Sequence, residues 1–204
     1  ASDVYKRQPL NPVSLYAKTR IMSENIIFER CESVSPVILR LSTVFGYSPR
    51  MRFDLVVNLL TVKAIVDKNF QIFGGNQWRP FIHCKDVAQA FYLAATANQS
   101  VTDRQVFNVG DSNLNYQLKD IGNMIQTFVP DTDYEILKGN TDERNYKVSF
   151  EKIKRILNFS PQYTLESGIQ EMIEKISSTK QLQNYKKAVY SNLDTIKNIQ
   201  GGTS

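Results

Sequence analysis

The chain has 204 residues, 42% of them hydrophobic and 22% charged, a composition that suits one good core and excludes bulk disorder. Its formal charge of +5 comes from scattered lysines and arginines, without the basic run or aromatic motif of a nucleic-acid surface. A single histidine, His83, and two cysteines, Cys31 and Cys84, offer no clustered ligand set for a metal and no Cys/His nucleophile pair.

No apolar run approaches the ~20 residues that cross a bilayer, and the start lacks the order of a signal peptide, so the expectation is a cytoplasmic protein without a membrane partner. The opening "ASDVYKRQ" has no apolar periodicity that continues into the neighbouring residues. It resembles a translated sequencing adapter, and residues 1–8 are read as a non-native leader on the downstream half of a longer protein.

Apolar spacing predicts a helix over 14–33, a buried strand "PVILRLSTVFG" over 36–46 and a helix over 54–67. A strand "FQIFGG" over 70–75 and an extended "RPFIH" come after it, then a helix opening at Asp86 as its N-cap and running through "VAQAFYLAATAN". Next come a strand over 104–110, the helix "YQLKDIGNMIQTF", a short strand "DYEIL", an extended "NYKVS", and helices near 150–158 and 164–178. Strands alternating with helices make an α/β fold. From Gln181 the chain turns polar and is expected to fray.

Tyr16 and Arg20 stand four residues apart at the start of the first helix, hence on one face. A free phenol titrates near ~10, so bringing one close to neutrality takes roughly 4 kcal/mol of extra phenolate stabilisation at about 1.36 per unit. A fixed cation alongside contributes to that. The alternative is a packed tyrosine beside a solvated arginine.

Five blocks widen the view: "PVSLYAKTRIMSE", "ILRLSTVFG", "IFGGNQWRPFIHCKDVAQAF", "VFNVG" and "ERNYKVSFEKIKRILNFSPQYTLESGIQEMI". In order and spacing they resemble the second half of the extended short-chain dehydrogenase/reductases, the NAD(P)-dependent nucleotide-sugar epimerases and dehydratases, over about 9–176. The resemblance implies an α/β fold built as the C-terminal part of a Rossmann-type doubly wound sheet, over 9–53, with a small mixed α/β substrate-binding part over 54–180. The segment 181–204 is left as a polar tail.

The resemblance places Tyr16 on the family's catalytic tyrosine and Arg20 where the family carries lysine. An arginine keeps the charge and can fork onto ribose hydroxyls, but it cannot release a proton. It further implies that Ser42 lies beside the nicotinamide of NAD or NADP, and that Thr43 and Asp54 are substrate-binding positions. Gln71 and Phe73 would line the base pocket, and Arg79 and Arg144 would hold the pyrophosphate and nucleotide side. For several of these the residues alone allow a plainer part: a buried strand serine at Ser42, an N-cap at Asp54, core packing at Gln71 and Phe73, and a surface arginine beside Trp78 at Arg79. His83 is expected to be a bonded imidazole and Asp86 a helix cap, and Cys84 core.

None of the nine glycines forms the GxxGxxG turn through which backbone amides approach a dinucleotide pyrophosphate. The chain alone is therefore expected to bind NAD poorly and to turn over no substrate. The function expected of a full-length parent is nucleotide-sugar epimerisation through a keto-sugar. A 4,6-dehydratase or keto-reductase is the enzyme alternative, and a non-catalytic nucleotide-sugar-binding scaffold is the alternative of another class. The partners implied are a nucleotide-diphosphate sugar and a second copy of the chain in a homodimer.

Overall fold

In the computed structural model the described residues are 14–138 and 147–201. The first helix, α1, spans Leu15–Arg30, opened by Ser14, whose hydroxyl accepts from the Ala17 amide at 3.2 Å. The apolar run expected as one strand divides into β1 (Ile38–Leu41) and β2 (Thr43–Phe45). The break falls at Ser42, whose N–H (3.1 Å) and hydroxyl (2.8 Å) both donate to the Val109 carbonyl.

At that residue the chain changes partners. β1 runs parallel to β5 (Val106–Val109), whereas β2 runs parallel to β4 (Trp78–His83). β4 in turn pairs antiparallel with β6 (Asn115–Gln117), a strand whose Tyr116 and Gln117 the spacing places in the following helix. β3 (Asn69–Phe73) lies parallel to β7 (Asp133–Leu137).

Helices complete an α/β architecture: α2 (Val56–Val66), α3 (Cys84–Thr96), α4 (Gln99–Thr102), α5 (Leu118–Phe128), α6 (Glu151–Leu157), α7 (Leu165–Ser178), α8 (Lys180–Gln183) and α9 (Asn192–Gly201). Each expected helix is present, with ends moved by at most three residues.

Two apolar clusters hold the chain together. One gathers Ile82, Ala90, Phe107, Val109, Ile153 and Phe159 around β1, β5, α3 and α6. The larger joins α2, β3, α5 and α7 through Leu60, Phe70, Ile121 and Ile169, with Phe45 and Phe81 at its edge toward the sheet. Fully buried side chains of this size stabilise by about 1.5–3 kcal/mol each, which is why these elements keep their registers.

Three expectations need correction. Asp86 does not cap α3: the helix begins at Cys84 with His83 as its N-cap, while the Asp86 carboxylate accepts from the Gln162 (2.8 Å) and Tyr163 (3.1 Å) amides. Asp54 does not cap α2 either, because Leu55 occupies that position without a side-chain cap. Nor does the chain fray from Gln181, since Leu182 and Tyr185 are buried and the Phe53 amide donates to the Tyr190 carbonyl at 2.9 Å. Two apolar side chains within a polar segment were enough to anchor it.

Candidate active site

α1 carries the candidate chemistry and buries none of its residues. Tyr16 is 69% exposed, and the Arg20 guanidinium carbon lies 5.1 Å from the centre of its ring, so the spacing read from the sequence does set phenol and cation side by side. Polar contacts tie this helix to the body. Glu24 receives two hydrogen bonds from Arg40 on β1, at 2.6 and 2.9 Å, and Arg104 donates to the Phe28 carbonyl while lying over the Phe28 ring.

Ser42 stands at the C-terminal end of β1, where parallel α/β sheets place their ligands. Across from it, a Cβ on Gly110 would meet the Ser42 hydroxyl and the Phe150 ring at 2.6 Å, so only glycine fits beside that hydroxyl. Thr43 opens β2 opposite Phe81 and is half-buried.

On β3 the burial alternates: Phe70 and Ile72 point inward, Gln71 and Phe73 outward. Gln71 and Phe73 are therefore not core. The Gln71 amide donates to Glu135 at 2.6 Å, and Phe73 remains 51% exposed.

Arg79 on β4 is buried, which removes the reading of a surface arginine. Its guanidinium donates to the Trp78 carbonyl at 2.8 Å. Arg144 lies outside the described residues. Among the described residues, contacts join Tyr16 to Arg20 and Gln71 to Glu135, but they do not join the helix pair to the β3 residues.

Asp54 is held by charge. Both of its oxygens accept from Arg52, at 2.9 and 3.0 Å, and one also accepts from the Asn192 amide at 3.3 Å. Partial burial pushes its carboxyl up, yet the Arg52 and Asn192 hydrogen bonds and the Arg52 charge outweigh that and hold it below the ordinary carboxylate value.

His83 is fully buried and bonded, as expected of it, and it takes the capping position expected of Asp86. Its Nδ1 accepts from the Lys85 amide at 3.3 Å, which leaves the proton on Nε2 to donate to Glu171 at 3.0 Å. Tyr163 stacks on the ring at 4.1 Å. Burial lowers the His83 pKa more strongly than Glu171 raises it, so the ring is neutral.

Partial burial pushes Glu171 up, but the 2.6 Å hydrogen bond from Lys85, with the His83 edge and the Lys85 charge, brings it below its ordinary value. Lys85 is correspondingly raised. Burial also pushes the Cys84 thiol up, and its S–H donates to the Tyr47 carbonyl. It is half-buried.

Sequence reasoning passed over Glu171, Tyr163 and Asn192. They lie 80 or more residues in sequence from the groups they serve, and no local spacing marks them. Among the described residues no group of three His, Cys, Asp or Glu side chains could hold a metal, and no helix is long and apolar enough to cross a membrane.

Solved structures place this arrangement among Rossmann-type α/β proteins. A Bacillus cereus UDP-glucuronic acid 4-epimerase solved with UDP-glucuronic acid and NAD has a TM-score of 0.73 at 24% identity, covering 83% of this chain and 55% of that one. A Bacillus anthracis dTDP-glucose 4,6-dehydratase in complex with NAD also has a TM-score of 0.73, at 22% identity, covering 89% and 58%. The model of the NAD dependent epimerase/dehydratase family matches residues 2–110, and the chain belongs to that family. Among curated relatives, the dTDP-glucose 4,6-dehydratase 1 of Escherichia coli K12 is 26% identical over 192 residues, covering 88% of this chain and 52% of the relative. The chain thus spans about half the length of the curated relatives it matches most fully.

Proposed function

We propose that this chain forms the substrate-facing part of a nucleotide-sugar epimerase that works through transient oxidation to a keto-sugar with NAD(P). The observation that carries this reading is the Tyr16–Arg20 pair, side by side and open to solvent on the first helix of the matched region. The Tyr16 hydroxyl takes a proton from a sugar hydroxyl and later returns it. Arg20 supplies a permanent positive charge next to that phenol and a fork for ribose hydroxyls.

When bound, NAD(P) supplies the acceptor and donor of hydride. The groups here suit its ribose and nicotinamide end: a phenol, a guanidinium and the Ser42 hydroxyl facing a glycine that leaves no room for a side chain. Arg79 takes the pyrophosphate oxygens, an anion that guanidinium geometry fits, and Arg144, by its motif, the nucleotide side. Thr43 and Asp54 face the sugar, while Gln71 and Phe73, outward on β3, offer an edge and a ring to the base.

The 4,6-dehydratase is a second reading, favoured by the Escherichia coli relative matched over 88% of this chain. A scaffold that binds without turnover is supported by Arg20 alone, where the family carries lysine. A second copy is the partner supported by α1, whose Leu15, Met22 and Ile26 are each more than half exposed. Light scattering at micromolar concentration tests that pairing.

The decisive experiment joins residues 14–201 to a glycine-rich cofactor half of the family and measures UDP-glucose epimerisation. Tyr16→Phe should reduce turnover by about 10²–10⁴-fold, and Arg20→Lys should raise it. Unchanged turnover in Tyr16→Phe removes the proton-transfer role. The 204-residue chain alone is expected to be inactive, and epimerisation by it would overturn that statement.

A further inference from the structure

The loop between β2 and α2, residues 46–55, carries Asp54 and is fastened from both sides. From within, buried Asn58 accepts the Gly46 amide at 3.1 Å and donates to the Arg52 carbonyl at 3.0 Å, closing the loop on itself. From outside, the segment between α8 and α9 lies across it. The Phe53 amide donates to the Tyr190 carbonyl, and the Phe53 ring meets the Tyr190 ring edge-on at 5.2 Å. Tyr185 anchors the same segment at the far end of α2 through its hydroxyl on Asp67, and Arg50 donates to the Asn192 side chain at 3.0 Å.

We propose that the segment Tyr185–Asn192 is a clasp that positions the 46–55 loop and aims the Asp54 carboxylate at the sugar, with the Asn192 amide as the positioning group. The sugar-facing end of this inference rests on the proposed role of Asp54; the clasp itself does not. A carboxylate has about four acceptor sites. Arg52 and the Asn192 amide fill three here, which fixes the plane of the group.

The geometry also supplies a clean way to remove the amide. Asn192 is the first residue of α9, a position that favours proline, and Ser191 before it is extended at φ −127 and ψ 126, as a residue preceding proline must be. Asn192→Pro deletes the N–H to Asp54 and the Arg50 contact together. Asn192→Ala deletes only the latter.

In the full 204-residue chain, Asp54 titration is followed by side-chain carboxyl NMR, and amide exchange is read at Gly46 and Phe53. Asn192→Pro should move the Asp54 titration upward and speed exchange at Phe53 by about tenfold with little change in melting temperature. Asn192→Ala should leave the Asp54 titration in place. An unchanged Asp54 titration and unchanged Phe53 exchange in the proline variant would overturn the clasp. If the clasp holds, UDP-glucose binding in the two-half protein reports separately on the sugar-facing role: equal affinity in wild type and Asp54→Asn would remove it without touching the clasp.

Discussion

α1 and the β4 end where it meets α7 treat polar residues in opposite ways. α1 leaves Tyr16 exposed, buries nothing and reaches the body through the Arg40–Glu24 pair and Arg104. At the end of β4, His83 has no exposed surface, and Tyr163, Phe45 and two glycines crowd its ring. The first arrangement keeps the Tyr16 phenol accessible at little structural expense. The second gives up accessibility to link the sheet to α7, and its residues should dominate stability.

The sharpest test of that contrast is Gly46→Ala. Gly46 has φ +105, and an added Cβ would lie 2.1 Å from the His83 Nε2 atom. Loss of about 3 kcal/mol or more is expected in a denaturant melt. A change under about 0.5 kcal/mol would mean that His83 is not packed as described.

Glu171→Gln comes next, with a loss of about 1–2 kcal/mol at neutral pH from the broken charge-assisted bond to Lys85. Its pH dependence comes from two lowered groups. His83 titrates below its ordinary 6.5 in the folded chain, so the unfolded chain binds more protons in that window and stability falls as pH drops through it. Glu171 titrates below its ordinary 4.5, so its contribution is present above 4.5 and is lost as pH falls through the folded value. In Glu171→Gln the limb below 4.5 should flatten while the His83 limb persists, which a series of melts across pH checks.

Glu24→Gln should lower global stability by about 1 kcal/mol or less while raising amide exchange throughout α1. A global loss as large as that of Gly46→Ala would erase the distinction between the two regions. The smallest effect is expected for Tyr16→Phe, within about 0.5 kcal/mol in the same melt, because the hydroxyl is exposed.

How much of this was legible beforehand varied with the range of the interaction. Tyr16 and Arg20 were readable because helix geometry brings i and i+4 together without help from the rest of the chain. The strands "DYEIL" and "FQIFGG" were readable from short apolar runs, and the outward faces of Gln71 and Phe73 from period two once β3 was in place. The division at Ser42 was not, because it depends on a carbonyl of Val109, 67 residues away. The cap assigned to Asp86 failed for a similar reason: two amides from 162–163 outcompeted the local helix end.

The sequence by itself determined the alternation of strands and helices, the α/β class and the Tyr16–Arg20 face. All of these come from local periodicity and helix geometry. Only the tertiary structure decided that Arg79 is buried, that His83 is neutral and bonded to Glu171, and that the Tyr185–Asn192 segment fastens Asp54 rather than fraying. Burial and long-range hydrogen bonding depend on which distant segments share a core, and that is set by the packing of the whole chain.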